Sequence, residues 1–90
     1  MKRYVIEREI PRIGTFESSQ LRDASRASCD ALAKLAPRVQ WEHSYVTADK
    51  TFCIYLAEDE AAIRKHAELS GFPANTISVV TSMIDPTTGT

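Results

Sequence analysis

The apolar residues of this chain recur first at every second position, then at every third or fourth, then at every second position in two successive runs, then at three and four again, and finally at two. Residues 3 to 10, "RYVIEREI", set Tyr4, Ile6 and Ile10 on one side of a strand and Val5 on the other, and Pro11 then ends ladder pairing. From about 18 to 36, Leu21, Ser25, Ser28, Leu32 and Leu35 with Ala24 and Ala31 make one face of a helix closed by Pro37. Arg22, Asp23, Arg26, Asp30 and Lys34 decorate its outer side, where i,i+4 pairs contribute a few tenths of a kcal/mol.

Two β-rich runs follow, 39 to 47 and 50 to 57, short enough apart for a hairpin. "EDEAAIRKHAELSGFP" then opens on acids that suit a helix N-terminus, repeats Ala62, Ile63, His66, Ala67 and Leu69 on one side, and stops at Gly71 before Pro73. "TISVVTSMI", 76 to 84, reads as a β-branched strand, and "DPTTGT" as a polar tail that frays. Strand, helix, strand, strand, helix, strand is the split βαβ order. It predicts an α+β, ferredoxin-like βαββαβ domain over residues 1–85, with a four-stranded antiparallel sheet, both helices on one face, and a flexible tail at 86–90.

Ninety residues hold one core, so a single domain is expected. A net charge of −1, with eleven basic residues interleaved among twelve acids, offers no basic field for a phosphate backbone, so no nucleic-acid partner is expected. No apolar run approaches the roughly 20 residues that span a bilayer. The start, "MKRYVIEREIP", has no signal-peptide apolar region, and no membrane association and a cytoplasmic location are expected. Cys29 and Cys53 are then expected as reduced thiols, and two cysteines cannot hold an iron–sulfur cluster that takes four thiolates.

If helices cover one face of the sheet, the other carries apolar residues, among them Val5, Val46, Tyr55 and Val80 or their neighbours. A patch of that kind marks a partner surface and predicts a homodimer through the open sheet face or the sheet edges.

No phosphate-binding glycine loop, Rossmann fingerprint, zincin helix, CxxC pair or nucleophile elbow occurs. What remains for chemistry is His43, His66, the two cysteines and the strand acids. An even-numbered hairpin loop sets His43 opposite Ile54, on one face with Trp41, Tyr45, Phe52 and Leu56, and turns Cys53 away with Glu42 and Ser44, so that Glu42 and His43 act together only near a strand end or bulge. A three-residue loop gathers His43, Cys53, Trp41 and Tyr45 instead. The poor fit of "ADK" to a glycine-type bulge favours the even register. His43 reads most simply as a histidine packed among aromatics, His66 as a boundary residue of the second helix, and both cysteines as small apolar side chains. Glu7 and Glu9 protrude together from the first strand. On a dimer surface, carboxylates and a histidine from different strands make an oxygen and nitrogen site suited to a borderline divalent ion. The candidate metal ligands on chemistry are His43, His66, Glu42 and Glu7, and no catalytic residue is assigned.

The stretches "YVIEREIP", "SCDALAKLAPRVQWEHSYVTADKTFCIYLAEDEAAIRKHAELSGFPANTISVV" and "IDP" resemble a family of small bacterial ferredoxin-like proteins of unassigned function that includes a nickel-binding homodimeric member. The resemblance covers nearly the whole chain. It implies the same fold and dimer, nickel or another divalent transition metal as ligand, and metal sequestration rather than catalysis. It assigns no ligand position by position. Dimeric α+β barrel oxygenases share the topology and suggest an alternative: a small-molecule binder or cofactor-free enzyme using the open sheet face, with His43 and Tyr45 or Tyr55 lining an aromatic cavity. A dimeric interaction module without histidine chemistry is the third reading.

Overall fold

The computed structural model describes all 90 residues. Strand β1 (Lys2–Glu9) is followed by a 3-10 turn (Ile13–Thr15), helix α1 (Ser18–Leu35), strands β2 (Val39–Val46) and β3 (Lys50–Ala57), helix α2 (Glu60–Ser70) and strand β4 (Thr76–Val79). The strands lie in the order β2-β3-β1-β4, each antiparallel to its neighbours. This is the expected ferredoxin-like arrangement. No helix is long and apolar enough to cross a membrane.

Each helix begins and ends on residues that satisfy its free backbone groups. Glu17 and Gln20 form a reciprocal capping box at the start of α1, and Ala36, held extended ahead of Pro37, ends it. Asp59 accepts from the Ala62 N–H at 2.8 Å to start α2. Gly71, at φ 79°, ends α2 in the left-handed conformation that glycine tolerates without a Cβ penalty.

Strict alternation along the two central strands builds the core. Tyr4, Ile6 and Arg8 of β1, with Thr51, Cys53, Tyr55 and Ala57 of β3, are all buried beneath the helices. Leu35 of α1 and Ala62 and Ile63 of α2 complete the apolar cluster. The hairpin takes the even register, with the Thr47 N–H donating to the Lys50 carbonyl at 2.9 Å and His43 opposite Ile54. Its turn carries no glycine, and the segment after β1 docks on it. Ile10 N–H donates to Asp49 O at 3.0 Å and Gly14 N–H to Ala48 O at 2.9 Å. A Cβ on Gly14 would stand 2.8 Å from the Ala48 Cα, so this close approach requires glycine.

Three expectations are corrected. A β-bulge between Trp41 and His43 leaves Glu42 as the extra residue and moves Trp41 opposite Tyr55. Trp41 therefore does not share a face with His43, and Glu42, expected on the other face, does, because an inserted residue reverses the alternation. Tyr55 and Val46 also lie on the helix-covered side, where they line a cavity beneath α1, whereas Val5 and Val80 do fall on the open side. β4 ends at Val79 and not at Ile84, since its partner β1 begins at Lys2 and the ladder runs out after Val80 N–H reaches Arg3 O at 2.8 Å. Beyond it Met83 and Ile84 are exposed, and Pro86–Gly89 forms a 3-10 turn capped by Asp85.

Candidate functional site

Chemically capable side chains occupy both faces of the sheet. On the covered face, the alternation that buries Tyr4 and Ile6 also buries Arg8, which is only 2% exposed. Its Nη1 donates to the Pro73 carbonyl at 2.8 Å, and its guanidinium carbon lies 5.9 Å from the Tyr55 ring centroid and 6.0 Å from that of Phe72. Its Nη2 has no protein partner.

Beside it, Ser28 of α1 joins Tyr55 of β3 to His66 of α2. The Ser28 Oγ lies 3.2 Å from both the Tyr55 hydroxyl and His66 Nε2. Burial, followed by the nearby positive charge of Arg8, lowers the His66 pKa to about 4, so the ring is neutral near pH 7. Burial raises the Tyr55 pKa and keeps the phenol protonated. His66 Nδ1 is unpartnered, and a bare acceptor is cheaper to bury there than a bare N–H. On that ground the proton is assigned to Nε2, which donates to Ser28; the Ser28 hydroxyl can then donate to Tyr55 and leave the Tyr55 O–H free. His66 is thus fully buried, not the boundary residue expected from its helix position.

Next to this chain a cavity of about 180 Å³ opens between the sheet and α1. Ile13, Leu21, Trp41 and Phe72 give it apolar walls, while Arg8, Ser28 and Tyr55 contribute polar groups. It lies on the opposite side of the sheet from the face on which the small-molecule alternative was drawn.

The open face carries the other three candidate ligands. His43 is exposed, with only the edge of Tyr45 against it at 5.1 Å between ring centroids. Glu42, pushed out by the bulge, accepts from Arg3 Nε at 2.7 Å, and Glu7 lies 3.7 Å from Lys50 Nζ. His43, Glu42 and Glu7 therefore share a face, and His66 is separated from them by the sheet. No group of three or more His, Cys, Asp or Glu side chains gathers within one chain. Cys53, which the less favoured hairpin register would have joined to His43, is buried opposite Ser44, and Cys29 is exposed and unpaired.

Sequence reasoning missed Arg8. The signal was its parity with Tyr4 and Ile6, which period-two alternation carries inward regardless of charge.

These observations define an α+β domain of ferredoxin-like topology with a solvated sheet face carrying His43, Glu42 and Glu7 and a mainly apolar cavity, with Arg8 in its wall, under its first helix. Residues 4–80 match the family described as "Nickel responsive protein SCO4226-like", and the chain belongs to that family. The fold is similar to that of the solved structure titled "Crystal structure analysis of SCO4226 from Streptomyces coelicolor A3(2)", with a TM-score of 0.77, 16% identity, and coverage of 91% of this chain and 99% of that one. No curated protein matches the chain.

Proposed function

We propose that the protein is a cytoplasmic, homodimeric nickel-binding protein that holds the ion by sequestration, without turnover. Family membership points to nickel. The observation that supports the site is that His43, Glu42 and Glu7 share the open sheet face, since imidazole and carboxylate suit a borderline divalent ion. One chain does not assemble three such donors, so the ion takes ligands from a second copy seated on the same face. Phe52, Ile54 and Leu56, half-buried on that face, supply the apolar area for a self-complementary contact. The buried His66 takes no part in this reading.

The test is calorimetric titration of chelator-treated protein with nickel, alongside light scattering. Saturable heat at micromolar nickel, lost in His43→Ala with the far-UV spectrum unchanged, is the expected result. An absence of heat at that concentration overturns the metal reading, and a stable 10.0 kDa monomer overturns the dimer.

A further inference from the structure

Arg8 poses an energetic problem that the protein alone does not solve. A guanidinium removed from water costs several kcal/mol unless an anion compensates it. None of the five ion pairs in the molecule includes Arg8. No Asp or Glu lines the cavity that Arg8 faces. The Pro73 carbonyl and the faces of Tyr55 and Phe72 offset part of the cost. A water at Nη2 would satisfy an N–H but leave the charge uncompensated.

The surroundings are already arranged for an anion. The Ser28 bridge directs the hydrogen-bond chain so that the Tyr55 O–H remains available in the cavity wall, close to Arg8. Beyond this polar end the walls are Ile13, Leu21 and Phe72. At about 180 Å³ the space is below the roughly 300–1,000 Å³ of pockets that take drug-sized ligands, so the occupant is small.

We propose that this cavity binds a small carboxylate with an apolar body, its carboxylate held by Arg8 Nη2 and the Tyr55 hydroxyl and its body against Ile13, Leu21 and Phe72. The site lies across the sheet from His43 and is independent of the nickel reading.

Trp41, the single tryptophan, lines the cavity and reports on its contents. Chelator-treated protein is titrated with acetate, isovalerate, benzoate and phenylacetate at constant ionic strength, with benzamide and inorganic phosphate as the neutral and the non-carbon arms. The expected result is a saturable change in Trp41 fluorescence with at least one of the larger carboxylates. Benzamide and phosphate should bind at least about tenfold more weakly than the best carboxylate. Arg8→Met should abolish the response, and Tyr55→Phe should weaken it by about tenfold, the loss of one hydrogen bond to a charged group. Ala24→Leu fills the cavity from α1 with a good helix former and should block binding while Arg8 is intact. If Arg8→Met does not fold, Ala24→Leu and the benzoate to benzamide ratio decide. The proposal is overturned if no carboxylate binds at millimolar concentration, if benzamide or phosphate binds equally well, or if Ala24→Leu binds as tightly as the parent chain.

Discussion

Each face of the sheet has a histidine, a tyrosine and an arginine at hand, the covered face with Tyr4 as a second tyrosine, and the two faces hold them in opposite ways. On the covered face His66, Tyr55 and Arg8 are each at most 2% exposed and are fixed to neighbours from α1, β3 and the loop after α2. On the open face His43, Tyr45 and Arg3 are exposed, and their partners are surface groups. The same type of side chain is therefore part of a fixed cavity wall on one side and a solvent-exposed group on the other. Burial supplies pre-organisation on the covered face.

The tyrosines give the largest expected contrast. Tyr55→Ala should lower stability by about 3–5 kcal/mol, the range for truncating a buried aromatic, and should leave Ser28 and Arg8 short of a neighbour. Tyr45 is 60% exposed, and Tyr45→Ala should stay within about 0.5 kcal/mol in the isolated chain. Denaturant melts of the two variants test this. A large loss for Tyr45→Ala that grows with protein concentration would locate the partner on the open face, because only binding makes stability concentration-dependent.

The covered face also couples stability to pH. His66 is neutral in the fold, with a pKa of about 4 against 6.5 for a free histidine, so the unfolded chain takes up a proton first as pH falls. The native state holds its full advantage above about pH 6.5 and loses it progressively down to about pH 4. By pH 5 the loss should reach about 2 kcal/mol, at about 1.4 kcal/mol per unit of pH. Comparing melts of the parent chain and His66→Gln between pH 7 and pH 5 isolates this term, since the acids titrate equally in both. Equal slopes would mean that the ring is more solvated than its position implies.

How much of this could be read from the chain alone follows from the range of the interactions involved. The elements, their order and the even hairpin register depend on local period and turn chemistry, and residues such as Ser28 in the α1 stripe were legible on that basis. The bulge at Glu42 was not, because it arises from how β2 fits a neighbour already paired to β1, and it carried Trp41 to the other face. The end of β4 was hidden for a similar reason. Val80 to Ile84 have strand composition, but a strand also needs a partner, and β1 offers none beyond Lys2. At the candidate sites, the chemistry of His43, Glu42 and Glu7 was legible, but their shared face was not, because strict alternation in the even register turns Glu42 away from His43 and only the bulge returns it. The separation of His66 from them depends on which side of the sheet α2 packs. Arg8 was passed over because charge outweighed parity in a run that reads as solvated, "ERE".

The smallest expected effect sharpens the comparison most directly. Glu42 and Arg3 form a well-placed contact, but their side chains retain 30% and 48% exposure, and pairs of that kind are screened by solvent. Glu42→Gln keeps the shape and removes the charge, so stability should change by no more than about 0.5 kcal/mol, with the residual effect fading as salt is added. Under the nickel reading the same substitution weakens retention of the ion, because a carboxamide is a poorer donor to a divalent metal than a carboxylate. Function and stability are then separable on the open face. On the covered face they are not, since Tyr55 serves both the core and the proposed anion site. A loss well above 0.5 kcal/mol in Glu42→Gln, persisting at high salt in a monomeric sample, would show that the bulge holds its acid in a fixed environment and would erase the distinction between the two faces at that point.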